Sequence, residues 1–198
     1  MAYSDFSLRT AREKFGLILR EDIDLYGATA EVEVSPWLRE FLEKWSTAAL
    51  AMNTEKARSE MIIAPILMEA VEASGHRFNL FSGLSLDVDK DRGLTGVCDY
   101  LLALSPERFF LSHPVVTVVE AKREDINNGL GQCVAAMVGA RTFNEREGLT
   151  ATVIHGAVTT GSIWRFLKLQ DDYVFIDRPE YYLYQLGKIL GILLAVAS

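Results

Sequence analysis

The sequence predicts an α/β fold: a mixed central β-sheet flanked by helices on both faces. Three observations carry this. Apolar residues recur at helical spacing in the N-terminal third. Two long apolar runs, one of them rich in β-branched residues, fill the middle, and a helical stretch separates them from a second group of strands. A chain of 198 residues has the length of one domain with a sizeable core. Its expected parts are an N-terminal helical extension over 1–52, a core over 53–178 and a C-terminal packing helix over 179–198.

The elements follow in order. Ser35 and Pro36 form an N-cap and first-turn pair. From there to Met52, Trp37, Leu38, Phe41, Leu42, Trp45, Ala48 and Ala49 recur at helical spacing. A second helix starts near Asn53 or Thr54 and ends at Gly75. Pro65 kinks it by removing a backbone donor. Short strands are expected over Arg77–Ser82 and Leu84–Val88, longer ones over Gly96–Leu104 and Val115–Lys122. A helix follows from Asn127 to about Arg146. Strands then span Thr152–Thr159, Ser162–Leu169 and Tyr173–Ile176, with turns at Gly161 and at Asp171-Asp172. A last helix follows Pro179.

Composition narrows the class. Half the residues are hydrophobic (49%) and 24% are charged, the profile of a soluble globular protein. The two cysteines, Cys98 and Cys133, sit in apolar segments and read as buried reduced thiols. Met1 to Leu8 mix polar and aromatic residues, which predicts no signal peptide and a cytoplasmic location. The apolar stretch Ile189–Ala197 is too short to span a bilayer; it reads as a core or subunit-packing helix. The net charge of −7 opposes strong nonspecific DNA binding by an isolated monomer unless basic residues cluster in the fold.

The chemistry concentrates between Gly96 and Gln132. Asp99 interrupts one apolar run, and the next ends in Glu120-Ala121-Lys122. Alternation along a strand sends Glu120 and Lys122 to the same face. An acid and an ammonium at the end of a buried strand are costly unless paired or bound to a metal. Asp99 and Glu120, on neighbouring strands, are the natural pair to hold Mg²⁺ (or Mn²⁺), with the backbone carbonyl of Ala121 as a further ligand. Such an ion serves phosphodiester hydrolysis, with Lys122 orienting the water or neutralising phosphoryl charge.

Asp99, then Glu120-Ala121-Lys122 on a β-branched strand, then a helix bearing Gln132, resembles the core of the PD-(D/E)XK nuclease superfamily. The likeness extends from Glu60 to Leu169. Ser59-Glu60 with Ile63, Pro65 and Leu67 resembles the acidic N-terminal helix of that family. Gly161, Trp164 and Phe166 resemble the late hairpin of the N-terminal nuclease domains of type I restriction subunits. The resemblance implies the restriction-endonuclease-like fold and a Mg²⁺-dependent endonuclease or exonuclease acting on DNA. It makes Glu60 the helix carboxylate near the metal and Gln132 the residue that reaches toward the metal-bound water. It also implies a homodimer and leaves room for a separate DNA-recognition subunit. Two departures stand out: Cys98 replaces the proline of the family motif, and Thr159-Thr160 precedes Gly161 where relatives often carry an acid.

Other readings compete. The same fold without chemistry would be a catalytically silent binding or assembly module. A homo-oligomeric scaffold packed through the C-terminal helix would make the acids structural pairs. Glu60 has Lys56 four residues earlier as a surface partner, and Gln132 can be a plain helix N-terminal polar residue. Arg123 reads as a solvated strand-end charge. Asp87, Asp89 and Asp91 fail the calcium-loop template, because Arg92 and Cys98 stand where glycine and glutamate belong; they read as an acidic hairpin turn. His76, His113 and His155 lack zinc spacing, and Cys133 lacks an activating base.

Overall fold

The computed structural model describes residues 1–104, 107–111, 114–149 and 153–196. It is an α/β protein built on one open, mixed sheet of eight strands. The strands are β1 (Ile18–Ile23), β2 (Asn79–Ser85), β3 (Val97–Ala103), β4 (Val115–Ala121), β5 (Ile154–Thr159), β6 (Ile163–Gln170), β7 (Tyr173–Asp177) and the short β8 (Tyr181–Tyr182). Their order is β1-β7-β6-β5-β4-β3-β2, with β8 pairing β6. β4 runs parallel to β5 and β1 parallel to β7; the other pairs are antiparallel. Expected His113, Thr152 and Ala197 lie outside the described residues.

The helices are α1 (Leu8–Phe15), α2 (Pro36–Met52), α3 (Glu55–Arg58), α4 (Ala64–Ala73), α5 (Ile126–Arg146) and α6 (Leu186–Ala195). Alternation along the strands divides the core in two. Tyr100, Leu102, Val119, Ala121 and Phe166 pack beneath α2, α4 and α6. Leu101, Val118, Val158 and Leu167 pack beneath α1 and α5. β4 has no exposed position, as its β-branched run requires when both faces are covered. The parallel β4–β5 pair needs a crossover, and α5 supplies it.

The α2 bounds match the expected ones, with the Ser35 side chain accepting from the Leu38 N–H and Asn53 in a left-handed C-cap. Three expectations change. The N-terminal extension is not helical throughout: Ile18–Ile23 forms β1, the parallel edge partner of β7. The two short strands before Val88 are one strand, β2, which Gly83 continues at φ 64°. The helix from Glu55 to Ala73 is interrupted by a π-helical turn over Ser59–Ile63. That turn lies just ahead of Pro65, whose ring and missing N–H disturb the carbonyl of residue 61.

α6 buries Ile189, Leu190, Ile192 and Leu193 in the chain's own core. Its apolar face is therefore used within one copy. Among the described residues, no helix is long and apolar enough to cross a membrane. The acidic segment is a hairpin turn as expected: Asp89 bridges to Leu94, Asp87 accepts from the Gly96 N–H at 3.0 Å, and Asp89 accepts from the Arg92 N–H at 3.1 Å.

Candidate active site

The site begins where β3 and β4 part. Their ladder runs through Tyr100 and Val119. One step beyond, Asp99 stands beside Glu120, and a side chain replaces the backbone ladder: the Ala121 N–H donates to Asp99 Oδ2 at 2.8 Å. On the other side β4 stays paired with β5, Glu120 against Val158 and Ala121 against Thr159. The Lys122 N–H donates to the Thr159 carbonyl at 2.8 Å. The strand end that carries acid-x-lysine is thereby fixed from both sides.

Glu120 is only 1% exposed. Lys122 Nζ lies 2.6 Å from Glu120 Oε1 and donates to Gln132 Oε1 at 3.1 Å. The expected same-face placement of Glu120 and Lys122 is thus observed, and Gln132 joins them from α5. Gly129 makes this approach possible: a Cβ there would meet Val158 Cγ1 at 2.5 Å and Lys122 Cγ at 3.0 Å. Gly139, by contrast, serves the N-terminal segment, where Tyr3 Oη would sit 2.2 Å from a Cβ. The small residues of α5 thus seat the N-terminus as well as the sheet.

Burial pushes the Glu120 carboxyl up to about 8, and the Asp99 charge beside it adds to the rise. Asp99 Oδ2 stays on the Ala121 N–H, one residue along the chain from Glu120. Lys122 opposes the rise but does not overcome it. For Lys122 itself, burial works against the charge, yet Glu120 outweighs it and leaves the ammonium above its usual range. With Glu120 ionised, two acids and one cation in a desolvated corner lack a positive charge.

Glu60 carries the surface partner that its spacing from Lys56 offered. Its side chain is 59% exposed and bound to Lys56 Nζ at 2.8 Å. It lines a cavity of about 260 Å³ together with Asp99, Ala121 and Tyr100. Among the described residues, no three acids, histidines or cysteines gather at the spacing of a metal-binding group. Glu55, which the sequence reading passed over, lines the same cavity, and its charge acts on Lys122. Ser59, named beside Glu60 in the sequence, has a docking contact that the sequence does not show. Its hydroxyl meets Tyr100 Oη at 2.7 Å and its carbonyl accepts from that hydroxyl at 3.0 Å, which docks the π-helical turn onto β3. The only sequence signal for Glu55 is its place in the first turn after the Thr54 cap.

The residues present fit a hard divalent cation. Mg²⁺ takes oxygen ligands, keeps several waters and needs only one or two carboxylates. Asp99 and the buried Glu120 meet that number, and Ala121 lines one cavity with Asp99.

The remaining titratable groups have other partners. Cys98 and Cys133 are buried free thiols; burial pushes Cys98 up to about 12 and Cys133 upward as well. His76 lies 3.3 Å from Glu72. His155 Nδ1 is 2.9 Å from Tyr26 Oη. Arg123 pairs with Glu124 at 3.5 Å on the surface, as a solvated strand-end charge would.

Comparison of the chain with protein-family models, with curated proteins and with solved structures gives no match.

Proposed function

We propose that this chain is a divalent-metal-dependent nuclease with a restriction-endonuclease-like core of the PD-(D/E)XK kind. The single observation that carries the reading is the junction at the end of β4. Asp99 and Glu120 meet there, and Lys122 Nζ bridges Glu120 and Gln132.

Asp99, Glu120 and the Ala121 carbonyl are the groups that would hold Mg²⁺ or Mn²⁺. The ion would supply Lewis-acid stabilisation of phosphoryl charge and a water of lowered pKa. The chain's own residues do the rest. Lys122 presents its ammonium beside the carboxylates, where it stabilises negative charge on the phosphoryl oxygens. Gln132 fixes the Lys122 head through its amide oxygen. The 2.8 Å bond from the Ala121 N–H fixes the Asp99 carboxylate and keeps it from rotating away.

A plasmid-nicking assay tests the reading. Nicking should require Mg²⁺ or Mn²⁺, and Asp99→Ala and Lys122→Ala should each reduce it by at least about a hundredfold. Equal nicking in EDTA, or by either variant, would remove the proposal. One observation favours a second reading, a silent binding module of the same fold: Glu60 is held by Lys56 in an exposed ion pair. Such a module would show no stabilisation by Mg²⁺ and no nicking.

A further inference from the structure

We propose that a cavity on the α5 face of the sheet, lined by Arg165, Arg178 and Asn127, is a phosphate-binding subsite for the nucleic-acid backbone. It would hold the strand beside the carboxylate junction, so it rests on the function proposed above. The cavity measures about 400 Å³.

Register places it. Glu120 pairs with Val158, and Val158 pairs with Arg165. Residues directly paired across a sheet share a face, so Glu120 and Arg165 lie on the same side, two strands apart. At about 4.8 Å per strand that is roughly 10 Å. One nucleic-acid strand rises about 3.4 Å per nucleotide, so the interval suits a phosphate about three nucleotides from the cut.

Charge identifies the ligand. Arg165 and Arg178 lie just beyond the last pair of the β6–β7 ladder, Leu167 with Ile176, and both line the cavity. Two like charges lining one cavity repel each other unless an opposite charge lies between them. Glu180 binds one end of Arg165, but Arg165 Nε is buried without a hydrogen-bond partner. Among the described residues the Arg178 guanidinium has no ion-pair partner; only its backbone N–H is used, toward the Ile23 carbonyl. Two acids also border the cavity. The Asp177 carboxylate is committed to the Leu25 N–H and the Tyr181 hydroxyl. Glu21 forms no ion pair with either arginine among the described residues. An anion with several acceptor oxygens satisfies both forks at once, and a phosphate matches guanidinium geometry. The subsite also answers how a chain of net charge −7 grips a polyanion: with a local pair of arginines, not a basic surface.

The test is binding of a labelled single-stranded DNA of about 12 nucleotides by the full chain, in Ca²⁺, from about 50 to 200 mM salt. Arg178→Gln is the first variant, because the residue is exposed and its loss leaves the core intact; Arg165→Gln is the second. Each should weaken binding about five- to tenfold for any sequence and lower the slope of log K against log salt by about 0.7. Hydrolysis of bis(p-nitrophenyl) phosphate, too short to reach the cavity, should be unchanged by Arg178→Gln. Inorganic phosphate should compete with the oligonucleotide on the wild type and lose that effect on Arg178→Gln.

Unchanged affinity and slope in both variants would overturn the subsite, as would oligonucleotide binding by the wild type that ignores salt. Phosphate binding lost in Arg178→Gln with no change in oligonucleotide binding would also overturn it, since the cavity would then take free phosphate alone. The two proposals separate cleanly. Metal-dependent hydrolysis of the small diester with unaltered oligonucleotide binding in both variants sinks the subsite and spares the enzyme. Binding sensitive to Arg178 with no hydrolysis by the wild type does the reverse.

Discussion

Replacing Glu120 by glutamine should stabilise the metal-free protein at alkaline pH. The Glu120 carboxyl is raised from 4.5 to about 8, first by burial and then by Asp99. In the unfolded chain it ionises near its ordinary value; in the fold it keeps its proton until about pH 8. Between those values the folded state binds the extra proton, so stability falls as pH rises and levels off above pH 8. At about 1.4 kcal/mol for each tenfold change in proton affinity, the whole fall is on the order of 5 kcal/mol. Glutamine removes this term but deprives Lys122 of its 2.6 Å carboxylate partner, a charged hydrogen bond of roughly 1.5–3 kcal/mol. The net expectation is a gain of about 2 kcal/mol at pH 9 that vanishes or reverses near pH 5. Urea unfolding in EDTA across that range measures it. With Mg²⁺ at a hundred times its Kd the wild type should recover about 2.7 kcal/mol, and Glu120→Gln should not respond. If Glu120→Gln is instead several kcal/mol less stable at pH 9, the carboxylate is the anionic half of a structural pair and the argument for a missing cation fails.

Two further perturbations probe the scaffold. Burial first, then Lys168, lowers His155 from 6.5 to about 4, so the fold holds it neutral against Tyr26 while the unfolded chain takes up a proton. Stability should therefore fall as pH drops from about 6.5 to 4, by on the order of 3 kcal/mol; His155→Gln should flatten that part of the urea-midpoint profile, and an unchanged profile would refute the assignment. Gly131→Ala would place a Cβ 2.3 Å from the Phe6 carbonyl oxygen and 2.5 Å from the Leu8 nitrogen, backbone atoms that cannot rotate aside. It should cost about 1–3 kcal/mol, a drop in Tm of roughly 3–10 °C, with lost hydrogen-exchange protection confined to the N-terminal segment.

What could be read from the sequence was whatever depends on neighbours along the chain. The Ser35-Pro36 start of α2, the β-branched run of β4 and the shared face of Glu120 and Lys122 are local matters of capping, burial and pleat. β1 was not legible. Ile18-Leu19-Arg20-Glu21-Asp22-Ile23 is a short edge strand whose partner, β7, lies about 150 residues away, and an edge needs no apolar alternation to be stable. The cavity between Arg165 and Arg178 was invisible for a similar reason. The two arginines are separated by a hairpin and come together only in the cavity lining. Read one by one along the chain, they look like scattered charges.

The harder case is the third acid. Glu55 and Glu60 are five residues apart, about 140° around an α-helix, and cannot share a face of it. Sequence spacing favours Glu60, because Ile63 and Leu67 place apolar neighbours on its stripe. The fold breaks that stripe with the π-helical turn at Ser59–Ile63, just where Glu60 sits. Ile63 and Leu67 are fully buried, yet Glu60 stays in its exposed pair with Lys56. Glu55, one turn earlier, is the helix acid whose charge acts on Lys122. A π turn changes the phase of everything after it, so an α-helical count through Pro65 does not fix where Glu60 stands relative to Ile63 and Leu67. The sequence cue was present in the proline, and beside the interrupted helix Glu55 and Glu60 both line one cavity with Asp99.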